Sequence, residues 1–175
     1  RDKVSALTYS WFMEARTLHA PLNALSAATR PQGIEIATLT TFDIPALAVL
    51  TLEAYGDDVT PEALLETSEE LRLTFEGAFG ATTEDSFVGA WDGGTLVGAI
   101  LVVRESPWDD APDDPFVVDL IVAPDYRRRG IATALVAEVA GRCASWGFGS
   151  LALRLDSRHG GANELYSVLG FEEIA

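Results

Sequence analysis

The stretch from Phe116 to Cys143, FVVDLIVAPDYRRRGIATALVAEVAGRC, constrains the fold more than any other part of the 175-residue chain. It opens with an apolar, β-branched run, Phe116 to Val122, broken only by Asp119, which is the pattern of a buried strand. Ala123-Pro124-Asp125 ends it, because a proline cannot donate to a sheet ladder. Arg127, Arg128, Arg129 and Gly130 follow. From Ile131 the period turns helical, with Leu135, Val139 and Cys143 four residues apart on one stripe. A strand, a short basic turn and a helix aim free main-chain N–H groups at one spot. The helix dipole adds partial positive charge there and the three arginines add full charges. This is the local chemistry of a phosphate or pyrophosphate site. Gly130 lets main chain approach an oxygen with no Cβ in the way, and Ala132 keeps the next turn thin. A basic helix start with solvated arginines is the plainer alternative; the strand before it and the helical period behind it favour the anion site.

The other elements follow from local pattern. Residues 1–32 show no clear sheet pattern, and their Ala and Leu content, with Trp11, Phe12 and Met13, predicts one or two short helices broken at Pro21 and Pro31. Residues 1–33 therefore read as a helical N-terminal extension, whose Trp11 and Phe12 pack either on this domain or on a second subunit in a homodimer, and 34–175 as the domain proper. Ile34 to Leu39 alternates as a first strand. Asp43 is a candidate N-cap for a helix from Ile44 to Tyr55. Thr60 caps and Pro61 opens the next helix, with a stripe of Leu64, Leu65, Leu71, Leu73 and Phe75. Ser86–Trp91 and Leu96–Val103 flank Asp92-Gly93-Gly94 as a β-hairpin, with Gly98 marking a bulge. Arg104–Pro115 is a Pro- and Asp-rich loop. Gly147 is the C′ residue of the central helix. Leu151, Leu153 and Leu155 alternate in a half-buried strand, and Asp156–Gly161 is a polar turn. Ala162–Leu169 is a short helix ended by Gly170, and Phe171–Ile174 starts a last strand. This order predicts an α/β fold, a mixed sheet with helices on both faces.

The formal charge of −15 argues against a nucleic-acid partner. It fits either a cationic substrate drawn in by the field or plain solubility. Against that background the triple arginine is a local exception where a polyanion finds positive charge. No run is long enough to span a bilayer, and no basic region followed by an apolar stretch and cleavage site opens the sequence. Cys143 is the single cysteine, so an intramolecular disulfide and a cysteine metal cluster are both excluded. The expectation is a cytoplasmic protein with no metal and no membrane partner, in which Cys143 is a small buried hydrophobe.

Arg127-Arg128-Arg129-Gly130-Ile131-Ala132 resembles the R/Q-x-x-G-x-G/A signature of the GCN5-related N-acetyltransferases. Asp119 to Tyr126 resembles that family's strand and its exit, and Leu165-Tyr166-Ser167-Val168-Leu169-Gly170-Phe171 resembles its LYxxxGF ending. The resemblance is specific from Phe116 to Phe171 and rests on element order back to Ile34. It implies the acyl-CoA N-acyltransferase fold, whose sheet is splayed at its centre between the Phe116–Val122 strand and the next, with the acyl-CoA in the opening. It further implies acetyl-CoA as co-substrate, an amine acceptor and direct transfer. Arg127, Arg128, Arg129, Gly130, Ile131, Ala132 and Thr133 would then meet the pyrophosphate, and Leu120, Ile121 and Val122 would line the pantetheine arm. One departure is His159, seven residues before Tyr166, where relatives commonly carry an asparagine that touches the cofactor; Asn163 is out of register for that contact.

Acetyl transfer to an amine needs a neutral nucleophile, a stabilised oxyanion and, for the leaving thiolate, a proton. A lysine-like amine is only about one part in two thousand neutral at pH 7, so a general base helps. Main-chain N–H groups of a splayed strand can hold the oxyanion. Asp119 is the sole charge in the central strand and matches a position where the family often has an acidic residue, which makes it the candidate base or substrate contact. Its alternative is a carboxylate on a solvated face. Val118 stands where some relatives carry a catalytic glutamate, so that route is absent. Tyr166 matches the family's tyrosine that protonates the thiolate; its alternative is a core tyrosine with a satisfied hydroxyl. Glu105, Asp109, Asp110, Asp113 and Asp114 are either an acidic mouth for a cationic amine or a solvated loop. A CoA-binding regulatory module with the same fold and no turnover is the second functional reading, and intact Tyr166 and Asp119 weigh against it. An unrelated nucleotide-phosphate binder has no lysine-ended P-loop or GxGxxG to rest on.

Overall fold

The computed structural model describes residues 16–26, 28–106, 109, 112–155 and 162–174, with 162–164 described in the main chain only. The strands are β1 (Arg16–Pro21), β2 (Ile34–Thr38), β3 (Phe87–Asp92), β4 (Thr95–Val103), β5 (Phe116–Val122), β6 (Ser150–Leu155) and β7 (Glu172–Glu173). The helices are α1 (Leu22–Leu25), α2 (Ile44–Tyr55), α3 (Pro61–Phe75), α4 (Ile131–Ser145) and α5 (Ala162–Leu169). The strands form one mixed sheet in the order β2-β3-β4-β5-β6-β1-β7, in which only β5–β6 is parallel. One face is packed by α1, α4 and α5, with Val88, Ile100, Leu135, Leu151 and Tyr166 in a single apolar cluster. The other carries α2 and α3 over Leu47, Leu50, Phe87, Leu101 and Ile121. The α/β fold with helices on both faces is thus as the element order predicts.

The helical expectation for residues 1–33 is corrected over Arg16–Pro21, which is a strand paired antiparallel to both β6 and β7. Leu18 and Ala20 are buried on one side while Thr17 and His19 are half-exposed on the other, the period of two that a half-buried strand requires. Among the described residues of this part, the four-residue α1 is the one helix. Trp11, Phe12 and Met13 lie outside the described residues.

Helix starts were read closely from sequence. Thr60 Oγ1 accepts the Ala63 N–H at 3.1 Å, with Pro61 in the first turn of α3. Asp43 is the N-cap residue of α2 but makes no cap bond to it; its carboxylate instead accepts the Thr40 N–H at 2.8 Å, closing a capping box on the 3-10 turn Thr41–Asp43. The α3 stripe is narrower than expected: Leu71 is buried, whereas Leu65 is 75% exposed and Leu73 is also exposed. Only the side of α3 facing α2 and the sheet has a partner.

Two irregularities shape the centre of the sheet. In β4 the pairing steps from Ala90↔Gly98 to Trp91↔Leu96, so the extra residue is Val97, beside the glycine predicted to mark the bulge. Gly98 itself answers to packing, since a Cβ there would lie 2.9 Å from Ile131 Cγ2 at the start of α4. In β5 the pairing steps from Leu101↔Asp119 to Val102↔Val117, leaving Val118 as the bulged residue. A bulge bends its strand and re-aims the side chains beyond it.

Candidate active site

The bend at Val118 coincides with a parting of the sheet. β5 and β6 pair only at Phe116↔Ala152 and Val117↔Leu153, although β5 runs on to Val122 and β6 to Leu155. The splay that the resemblance implies is therefore present. Along its β5 side, Leu120 and Val122 are half-buried against the α4 cluster, while Ile121 is buried on the opposite face beneath α2. The main chain of Ile121, not its side chain, borders the opening.

At the wide end of the opening stands the basic turn. Pro124–Tyr126 form a 3-10 turn, and Arg128 (φ +62°) and Gly130 (φ +81°) are both left-handed on either side of Arg129. A non-glycine residue held left-handed is costly and gathers at functional sites. Alternating backbone handedness also turns successive N–H groups toward a common hollow, the arrangement that holds anions. Gly130 is the N-cap of α4 and offers no side chain to cap its first turn. A Cβ placed on Gly130 would meet nothing closer than Pro31 Cγ at 3.8 Å. The glycine is thus required by its backbone angle, not by the protein's own packing. A diphosphate fits this turn: the N–H groups of Gly130, Ile131, Ala132 and Thr133 have the helix-end polarity for it, and Arg128 adds charge. The Ile131 side chain is buried, so only its main chain can take part.

The other two arginines have partners within the protein. Arg127 donates from Nη2 to the Ala54 carbonyl at 2.6 Å and from Nε to the Val122 carbonyl at 3.2 Å. It caps the C-terminus of α2, where carbonyls lack helical partners and a cation is favoured, and fastens that end to the exit of β5. Arg129 lies over the Tyr126 ring, 4.8 Å from its centroid. The Tyr126 hydroxyl donates to Asp92 at 2.6 Å, which ties the basic turn to the β3–β4 hairpin and holds the phenol above its usual pKa.

Further along the opening, Asp119 is half-buried and accepts the Tyr55 hydroxyl on Oδ1 at 2.6 Å. Tyr166 is 6% exposed and stacks edge-on against Phe171, with ring centroids 5.4 Å apart. Burial, and then the Asp119 charge, push the Tyr166 phenol well above its usual pKa. The phenol is therefore held in its protonated form. The structure thus sets the two sequence-predicted catalytic candidates within electrostatic reach of one another. Among the loop acids, Glu105, Asp109 and Asp113 are exposed; Asp114 is half-buried, and burial raises its pKa against the pull of His19. Asp110, His159 and the turn 156–161 lie outside the described residues, as does the side chain of Asn163. Sequence reasoning missed Tyr55, a terminal helix residue with no local signal, and the anchoring partners of Arg127 and Tyr126. Among the described residues no helix is long and apolar enough to cross a membrane, and no group of three or more His, Cys, Asp or Glu could hold a metal ion.

The sequence model described as "Acetyltransferase (GNAT) family" matches residues 49–171, well over half of the chain. Among solved structures, a GCN5-related N-acetyltransferase from Sphaerobacter thermophilus is 23% identical, with a TM-score of 0.64 over 98% of this chain and 54% of that one. The chain thus spans about half the length of that relative. The ribosomal-protein-S18-alanine N-acetyltransferase of Escherichia coli is 20% identical, with a TM-score of 0.60 over 81% of this chain and 79% of that one. The PaiA N-acetyltransferase of Thermoplasma acidophilum, solved in complex with coenzyme A, is 19% identical, with a TM-score of 0.55 over 77% of this chain and 87% of that one. At these identities the likeness is one of fold. No curated protein matches the sequence at a significant level.

Proposed function

We propose, for a chain that belongs to the acetyltransferase (GNAT) family, transfer of an acetyl group from acetyl-CoA to an amine acceptor. What supports the reading is that β5 and β6 stop pairing beyond Val117 and Leu153, that the start of α4 carries no side-chain cap, and that Tyr166 feels the Asp119 charge. The co-substrate supplies an activated thioester. The turn from Arg128 to Thr133 would hold its diphosphate, and the β5 main chain from Leu120 to Val122 would lie along its pantetheine arm. Asp119 would take a proton from the incoming ammonium, directly or through water, and so raise the small neutral fraction of the amine. Tyr166 would give its phenolic proton to the departing sulfur. The acceptor is a cationic amine, in keeping with the formal charge of −15 and the exposed Glu105, Asp109 and Asp113.

Free-thiol release from acetyl-CoA, followed with a panel of polyamines, aminoglycosides, amino acids and N-terminal peptides, tests the reading. An amine-dependent rate is expected, with Tyr166→Phe lowering kcat about a hundredfold while the affinity for acetyl-CoA holds. Tight acetyl-CoA binding without turnover on any amine would instead establish the binding-module alternative. Turnover untouched by Tyr166→Phe would remove the acid role.

A further inference from the structure

The end of α2 touches both halves of the opening through two consecutive residues. The Ala54 carbonyl accepts Arg127 Nη2 from the basic turn at 2.6 Å, and the Tyr55 hydroxyl donates to Asp119 Oδ1 at 2.6 Å. Gly56 then ends the helix in a left-handed conformation (φ +75°), and its N–H bonds back to the Glu53 carbonyl at 3.2 Å. The turn that carries Tyr55 is therefore fixed on three sides: by its own cap, by Arg127, and by the apolar packing of α2 on the sheet. A phenol presented from so fixed a platform can select one orientation of a neighbouring carboxylate.

We propose that Tyr55 is the positioning residue for Asp119. It holds one carboxylate oxygen of the base and stabilises its ionised form. The proposal rests on the reading of Asp119 as base given above. A hydrogen bond to the charged form of an acid favours that form, so Tyr55 keeps Asp119 able to accept a proton down to lower pH than it otherwise would. The titratable and charged groups of the neighbouring elements set the background for this effect. On α5 the phenol of Tyr166 senses the Asp119 charge. In the turn after β5, Arg127 is held on Val122 O. In β6, Arg154 lies on the face opposite the buried Leu153 and Leu155, with its Nε on Thr17 Oγ1 at 3.2 Å. β4 offers only the apolar Leu101 opposite Asp119. Tyr55 makes a direct, short bond to a carboxylate oxygen of Asp119. Arg127, by gripping the preceding residue, links the placement of that bond to the loop that would bind the cofactor.

Tyr55→Phe tests the proposal, because the ring is retained on a residue that is 39% exposed and only the donor is lost. The direct measurement is a ¹³C NMR titration of the Asp119 carboxyl in the protein without ligands. Its midpoint should rise by about half a unit to one unit in the variant. The acid limb of the kcat/KM profile should move to higher pH by a similar amount, with the KM for acetyl-CoA unchanged. A carboxyl midpoint that stays in place in Tyr55→Phe overturns the proposal, whatever happens to the rate. The underlying reading fails separately: if Asp119→Asn keeps both the rate and the acid limb, Asp119 is not the base, even where the NMR midpoint moves with Tyr55.

Discussion

The two ends of α4 are built to opposite specifications. At its C-terminus the polar groups are met from within the protein. Arg142, with a side chain 16% exposed, donates to Thr38 Oγ1 at 2.8 Å and to the Asp85 carbonyl at 2.9 Å, and pairs with Glu138 at 3.2 Å. The Trp146 indole donates to both Asp85 oxygens at 3.2 Å. The Thr83 hydroxyl above all, with help from Trp146 and Arg142, holds the Asp85 carboxyl below its usual pKa. Gly147, left-handed, closes the helix while Phe148 N–H returns to the Cys143 carbonyl at 3.1 Å. At its N-terminus the helix has a glycine cap with no side chain, two left-handed residues and exposed arginines. That contrast is what the proposed diphosphate site at the start of α4 calls for.

Breaking each end should therefore have separable effects. The largest is expected from Gly130→Glu, which should weaken acetyl-CoA binding by more than about a hundredfold, or ~2.7 kcal/mol, as read by calorimetry. Gly130→Ala shares the cost of a side chain at φ +81° without the bulk and charge, and should lose much less. At the other end, Arg142→Ala should lower unfolding free energy by roughly 1.5–3 kcal/mol in urea, since it strips partners from the half-buried Asp85 and Thr38. Its affinity for acetyl-CoA should stay within about twofold if the ends are independent. Gly98→Ala, beneath the first turn of α4, should cost about 1–2 kcal/mol by pushing on Ile131, and it sharpens the contrast by moving the N-terminal end from below. A separate effect concerns pH. Burial, with the Asp85 charge, pushes the Cys143 thiol up to about 12. Above about pH 9 the unfolded chain releases that proton while the folded one keeps it, so stability should fall as pH rises from 9 toward 11. Cys143→Ala should flatten that slope, and the folded wild type should resist alkylation at pH 8.

What could be read in the sequence was what is local. The unit from Phe116 to Cys143 announces its own strand, turn and helix because each period repeats within a few residues. The caps at Thr60 and Gly147 and the helix Ala162–Leu169 are legible for the same reason. β1 was not, because RTLHAP offers two alternations and its partners lie far along the chain. The α3 stripe misled at Leu65 because a repeat of leucines does not say how wide a face is covered. In the site, the chemistry of the basic turn was visible as residue types, but its division of labour was not. That Arg127 caps α2 while Arg128 takes the strained backbone is set by how α2 docks on β5, which no spacing encodes. Tyr55 is hidden in the same way, since it acquires its partner only when a helix end meets a strand 64 positions away.

The strand β1 also carries a consequence for how the molecule comes to be folded. Thr17 bonds to Arg154, 137 positions later, and β1 sits between β6 and β7. A ribosome makes the apolar residues of β1 long before it makes the two strands that will flank them. Leu18 and Ala20 must wait through the synthesis of nearly the whole domain, and closing so long a loop is slow. β1 can join the sheet only once β6 exists, and β7 in turn has no strand to pair with until β1 is in place.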